Sequence, residues 1–203
     1  TLSRREAVAG MSEAVKVALI KDARFFRWME ANAERLARVE PDATEYLIRR
    51  CAQLHLEHIA TSGDPFELGS ARPLDFGHWA AHKLESLTHN CLCHGDAVAI
   101  GVALDSLYSA RAGHLSEEDA ERVIALLEAL GCRLWDEAFD LRDEHGGLRV
   151  LEGLREFREH LGGELTITLL REVGSGFEAH EIEEARMRAS LDELRRRDTA
   201  RCG

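Results

Sequence analysis

The densest chemical information in the chain is Asp75-Phe76-Gly77-His78-Trp79-Ala80-Ala81-His82-Lys83-Leu84-Glu85, followed shortly by His94-Gly95-Asp96. His78 and His82 are four apart, which on a helix puts both on one face and could aim them at one metal ion. Such a pair arises readily by chance in a chain with ten histidines, so further donors are needed before the spacing means a metal site. Glu13 and Lys16 supply a carboxylate and an ammonium on one face of an otherwise apolar first helix, where unpartnered charges are costly to bury. A cleft that holds a metal and a polar substrate is a partner for both. His89-x-Cys91-x-Cys93-His94 also offers soft ligands. Its Cys-x-Cys spacing is shorter than the usual Cys-x-x-Cys knuckle and no second pair follows, so it reads as two loop or buried cysteines beside a histidine. Gly174-Ser175-Gly176-Phe177-Glu178-Ala179 fits G-x-G-x-x-A, but no second strand follows to complete a βαβ unit, and it reads as a strand-to-helix turn. No Ser-His-Asp arrangement and no phosphate-binding P-loop stands out.

The elements that must carry these residues are helical. Apolar residues recur at spacings of three and four at Val8, Met11, Val15 and Leu19, at Phe26, Met29, Ala33 and Leu36, and at Val123, Ile124, Leu127 and Leu130. Ser116 with Asp119 resembles a capping box, Gly113 and Gly131 suit helix C-termini, and Pro41 is taken to end the second helix. About seven or eight helices are predicted by these signals. Ala97 to Leu104 is apolar on every side except at Gly101, which predicts a central buried helix that a neighbour approaches closely at that glycine. Only Leu165 to Leu169 alternates like a strand, and Leu148 to Leu151 is the partner considered for it. Glu181 to Arg201 reads as a charged helix with a thin stripe of Ile182, Ala185, Ala189 and Leu194. Trp28, Trp135, Phe25, Phe26 and Phe139 read as core, Lys21, Arg24 and Arg27 as solvated, and Trp79 as a wall of the pocket between His78 and His82. The predicted fold is mainly α, a helical bundle with one small β element, forming a single domain over residues 1–203.

Composition bounds what such a bundle does. Lys plus Arg number 26 against 37 Asp plus Glu, a net charge of −11, which argues against a broad basic surface for nucleic acid or an anionic membrane. Any anionic substrate must meet a local cluster of cations. No apolar run reaches the roughly 18 to 20 residues of a membrane-spanning helix, so a soluble protein is expected. Five cysteines, an odd number, with no signal-peptide pattern favour a reducing cytoplasm. The helical pattern starts almost at Thr1, as if cut from something longer.

Three motifs together identify a family. Gly10-x-x-Glu13-x-x-Lys16 and Leu19-Ile20-x-Asp22-x-x-Phe25-Phe26 resemble the start of the C-terminal domain of 3-dehydroquinate synthase, AGxAEVIKxGxIxDxxFF. Asp75 to Glu85 is similar to the family's NFGHTxGHAxE, and His94 to Gly101 to its HGEAVAIG, with the family's spacing between the two. The resemblance covers essentially the whole chain, weakening after about Gly113.

The resemblance implies Glu13, His78 and His94 as ligands of Zn2+, or of another divalent metal such as Co2+, with positions left open for substrate oxygens. It implies His82 as a residue beside the metal or on the phosphate side that assists proton transfer, and Lys16 as a donor to anionic or hydroxyl groups of the substrate. Arg72, Asp75 and Arg158 are the further substrate-binding positions, with Arg72 and Asp75 also placed among the catalytic residues. In this family NAD transiently oxidises a sugar hydroxyl, phosphate is eliminated, the carbonyl is reduced back, and an intramolecular aldol closes a carbocycle. NAD is expected to bind mainly to an N-terminal domain not included in these residues, so the chain alone is expected to be inactive. A homodimer is expected by resemblance only.

Departures from the pattern point to a different substrate head group. The motif's Asn is Asp75, its Thr is Trp79 and its second Gly is Ala81, which predicts a bulkier, more acidic pocket. Arg72 is offset by one residue, and Glu57 and His58 occupy the neighbourhood of an expected lysine. The family's late Asp-Lys-Lys is Phe157-Arg158-Glu159, within a stretch that looks more like the sugar phosphate cyclases that make valiolone-type cyclitols. Arginine there keeps the positive charge but presents a planar fork in place of a point donor. Two other classes compete: a metal-dependent alcohol or polyol dehydrogenase, and a catalytically silent helical scaffold. Glu13 with Lys16 and the His94 to Gly101 segment argue against the first, and retention of all three ligand candidates against the second.

Overall fold

A computed structural model describes residues 3–61, 72–160 and 165–202 of the chain. The first helix, α1 (Arg4–Lys21), starts at a capping box in which Ser3 Oγ accepts the Glu6 N–H and the Glu6 carboxylate accepts the Ser3 N–H. It stops at Asp22, whose side chain caps α2 (Ala23–Ala31) by accepting the Arg24 and Phe25 N–H groups. The series from Phe26 to Leu36 is divided between α2 and α3 (Ala33–Ala37), because the chain turns at Asn32. Pro41 opens α4 (Pro41–Thr61) and does not close the helix before it. The first helical position needs no N–H and suits a fixed φ, so a proline there marks a start as readily as a stop.

After a 3-10 turn at Arg72–Asp75 come α5 (His78–Leu87) and α6 (His94–Arg111), joined by a short loop. Every residue of α6 from Ala97 to Ser109 is buried, as the apolar run predicted. Around it pack α1, α5, α7 (Glu117–Leu130) and α9 (Glu184–Cys202). Ser116 caps α7 by accepting the Asp119 N–H, and Gly131 ends it in the left-handed conformation at φ +96°. Two more 3-10 turns lead to α8 (Glu152–His160).

The small β element is a hairpin of β1 (Ile167–Glu172) and β2 (Ser175–Ala179), antiparallel, with Leu169 opposite Phe177. The segment read as a strand-to-helix turn is therefore the hairpin turn and its second strand, with Gly174 left-handed at φ +92°. Leu148 makes only an isolated bridge to Arg142 and is not the partner of β1. The hairpin docks on α1 through the Gly174 N–H, which donates to Leu19 O at 2.7 Å. In α9 the inward stripe is Met187, Ser190, Leu191 and Leu194, while Ala185 is exposed. Met187, Leu191 and Leu194 follow one another at spacings of four and three and share one face, so of the expected stripe Leu194 is buried while Ala185 faces outward. No helix among the described residues is long and apolar enough to cross a membrane.

Candidate metal centre

Close helix crossings set the geometry of the site. At Gly95, on the first turn of α6, a Cβ would lie 2.5 Å from Ala9 C of α1, a separation that only glycine allows. Ser12 Oγ sits 2.7 Å from both Ala9 O and Gly95 O and shares its proton across that crossing. Gly77, left-handed at φ +79°, lies against Gly101, where a Cβ would be 2.8 Å from Gly77 C and closer still to its oxygen. These two approaches bring Glu13 of α1, His78 at the start of α5 and His94 at the start of α6 to one point.

One ligand atom from each of Glu13, His78 and His94 lies within 4.8 Å of the others. Glu13 Oε1 is 3.4 Å from His94 Nε2 and 3.9 Å from His78 Nε2. Both imidazoles are turned by their other nitrogen. His78 Nδ1 is 3.3 Å from Phe76 O and His94 Nδ1 is 3.2 Å from Glu85 Oε1, and both acceptors call for a proton on Nδ1. Both Nε2 lone pairs are thereby left facing Glu13. A carboxylate and two neutral imidazoles converging with free lone pairs is a donor set suited to Zn2+ or Co2+, and an imidazole held by a carboxylate or carbonyl is the usual support for such ligands.

The electrostatics agree. Burial, and then the positive charge of Lys16, push the His78 pKa down to about 4, so the ring is neutral and ligand-ready at pH 7. Burial works against the charged form of Glu13, but Lys16, His78 and His94 together outweigh it and hold its pKa below the ordinary value. Lys16 Nζ is 2.6 Å from Glu13 Oε2, with its side chain only 6% exposed. His82, exposed, stands on the same face of α5 with its ring 5.4 Å from that of His78. It forms with Glu85 and His94 a second, outer group of possible donors.

The remaining predicted residues are placed less fully. Asp75 ends the Arg72–Asp75 turn, partly buried, three residues before His78. The side chains of Arg72 and Arg158 lie outside the described residues. Trp79 is not a pocket wall: it is 2% exposed, turned into the core, and its indole N–H donates to Asp105 Oδ1 at 2.9 Å. Ala81 is fully buried as well, so neither departure makes the cleft bulkier. Among the described residues Cys91 and Cys93 join no group of three donors, and Cys93 Sγ lies 3.0 Å from Asp96 Oδ2.

Two residues, one at the site and one beneath α8, had no role in the sequence reading. Glu85 orients His94, and its signal was its place on the His78 and His82 face, one turn further along α5. Lys83, 5% exposed, pairs with Glu152 at 2.9 Å and Glu156 at 2.5 Å and fastens α8 to α5. A lysine in a helix of mostly buried residues was its only signal.

Residues 10–145 match the family model of the 3-dehydroquinate synthase C-terminal domain. A 3-dehydroquinate synthase of Halorhodospira halophila (strain DSM 244 / SL1) is 36% identical over 175 residues, covering 86% of this chain and 47% of that protein. Among solved structures, ValA (2-epi-5-epi-valiolone synthase) from Streptomyces hygroscopicus subsp. jinggangensis 5008, with NAD+ and Zn2+ bound, superposes with a TM-score of 0.85 at 27% identity, covering 98% of this chain and 53% of that one. A 2-deoxy-scyllo-inosose synthase complexed with carbaglucose-6-phosphate, NAD+ and Co2+ shares the fold, with a TM-score of 0.72 at 19% identity over 95% of this chain and 53% of that one. The chain spans about half the length of the relatives it matches.

Proposed function

The chain belongs to the 3-dehydroquinate synthase family of sugar phosphate cyclases, and on that premise we propose that it forms the metal- and substrate-binding half of an enzyme that cyclises a sugar phosphate with loss of phosphate, a carbon–oxygen lyase. The observation that carries this reading is the convergence of Glu13, His78 and His94 within 4.8 Å, with Lys16 beside them. Bound at this site, Zn2+ or Co2+ supplies Lewis acidity to a substrate oxygen, while NAD accepts and returns a hydride.

The chain's own residues do the rest. Glu13, His78 and His94 hold the ion, and Glu85 keeps the His94 ring turned toward it. Lys16, almost wholly buried and held by its ion pair with Glu13, donates to a hydroxyl or anionic oxygen of the substrate. His82, exposed beside His78, gives and takes the proton needed as the phosphate leaves. Arg72 and Arg158 supply cations to the anionic groups, which an acidic chain must concentrate locally, and Asp75 accepts from a substrate hydroxyl. Among the described residues the one sheet is an antiparallel hairpin, so we assign NAD binding mainly to a dinucleotide-binding domain outside these 203 residues. The valiolone-forming branch is favoured by the ValA likeness over 98% of the chain and by Phe157-Arg158-Glu159 in place of Asp-Lys-Lys.

Metal content by elemental mass spectrometry, on the purified chain and on Glu13→Ala, His78→Ala and His94→Ala, tests the site. Near-stoichiometric zinc lost in every variant is the expected result, and no uptake after zinc is supplied would overturn it. The reaction is tested in the enzyme that contains the NAD-binding domain, by following phosphate release from a panel of sugar phosphates. NADH accumulating without phosphate would show a dehydrogenase instead.

A further inference from the structure

Both chain neighbours of His78 are tied to one buried acidic side chain. Asp105, fully buried on α6, accepts the Gly77 N–H at 3.1 Å and the Trp79 indole N–H at 2.9 Å. A fully buried acidic residue is costly, and the oxygens of this one accept from donors that flank a single ligand.

The link to His78 runs through one peptide plane. The Gly77 N–H and the Phe76 C=O belong to the same peptide unit, which is planar and trans, so the two groups point in opposite directions. With the N–H directed at Asp105, the carbonyl is directed the other way, where His78 Nδ1 lies 3.3 Å from it. That contact puts the proton on Nδ1 and leaves Nε2 free to face Glu13. The close packing of Gly77 on Gly101 leaves this peptide little room to rotate.

We propose that Asp105 is a positioning residue of the metal centre, which through the Phe76–Gly77 peptide sets the tautomer and direction of His78. The inference rests on the metal reading above. It also gives a reason for tryptophan at a position where the family pattern has threonine: Trp79 is a second donor to the same acidic side chain and helps to keep it in place.

The test compares Asp105→Asn, Asp105→Leu and Trp79→Phe with the unmodified chain, using Co2+ alone as the probe. Co2+ affinity and its visible absorption spectrum are measured, and the His78 tautomer is read by 15N NMR of the metal-free protein at pH 7. Asparagine keeps the size of the side chain but can accept from one donor while facing the other with its own N–H groups, so it serves if leucine prevents folding. The expected result is a 10- to 100-fold loss of Co2+ affinity with a changed spectrum in both Asp105 variants, the range typical of residues that orient a ligand. His78 should lose its pure Nδ1–H form in both, while Trp79→Phe stays within about threefold of the unmodified chain. Folded Asp105 variants with unchanged affinity and tautomer would overturn the proposal, as would an equal loss in Trp79→Phe. If the unmodified chain takes up no Co2+, the metal reading fails, and the tautomer measurement still decides what Asp105 does.

Discussion

The seam where α1, α5 and α6 cross and the outer surface of α9 are built in opposite ways. In the seam, backbone meets backbone: Gly95 lies on Ala9 and Gly77 on Gly101, with no room for a Cβ at either glycine of α6. On α9 the contacts are long side chains in ion pairs, among them Arg188–Glu184, Arg196–Glu193, Arg197–Glu121 and Arg201–Glu128. Exposed pairs of that kind contribute about 0 to 1 kcal/mol each and adjust to substitution. Backbone contacts do not adjust. The ligand-bearing residues all sit on the seam, because a metal site needs its first atoms held within about 0.5 Å.

The largest effect follows from filling the seam. Gly101→Ala adds one methyl where its carbon meets Gly77 C at 2.8 Å, and α6 cannot shift because it is buried on all sides. Alanine's better helix propensity, worth about 1 kcal/mol, is outweighed by overpacking against backbone. A loss of about 4 kcal/mol in chemical denaturation is expected, with weaker metal uptake because the start of α5 is pushed away. An unchanged midpoint would mean that the crossing is looser than described and the comparison with α9 is wrong.

A smaller effect tests the burial of the site. In the unfolded chain His78 takes up a proton near pH 6.5, and in the folded, metal-free chain only near pH 4. Between those values the unfolded state binds more protons, so the contribution of His78 to stability is lost as pH falls through the window. Asp105 acts in the opposite sense: burial raises its pKa to about 7, so its folded form keeps a proton the unfolded form has released. The wild-type profile is therefore partly flat, and the difference between His78→Gln and wild type isolates the histidine. In chelator-treated protein that difference should move by about 3 kcal/mol in favour of the variant from pH 7 to pH 4. A difference independent of pH would show that His78 is solvated.

How much of this was legible in the sequence depends on which way each residue's partner lies. The ligand set was carried by family motifs, and the central helix by a run of apolar residues that no surface helix could hold. Gly101 was legible for the same reason, as a gap in that run. Trp79 was misjudged because spacing along α5 says which residues share a face with His78 but not what the adjacent face meets. Its partner, Asp105, lies 26 residues away, on another helix. The first strand of the hairpin was legible by its alternation, but its partner was sought at Leu148 to Leu151, because a Gly-Ser-Gly turn serves a strand pair as well as a strand-to-helix junction. Only docking against α1 distinguishes the two. On α9 Leu194 was read correctly, but Ala185 and Ala189 were chosen in place of Met187 and Leu191, which share the Leu194 face at helical spacing.

The smallest effect sharpens the comparison within a single helix. Gly10 and Glu13 are both on α1, but Gly10 is exposed and a Cβ there meets nothing within 4 Å. It shares the residue type of Gly101 and none of its surroundings. Glycine inside a helix carries extra freedom in the unfolded chain, and alanine removes it without a clash. Gly10→Ala should therefore raise stability by about 0.5 to 1 kcal/mol in denaturant titration and leave metal affinity unchanged. A loss of stability would place Gly10 in an interface, and would extend the glycine seam along α1 beyond its crossing with α6.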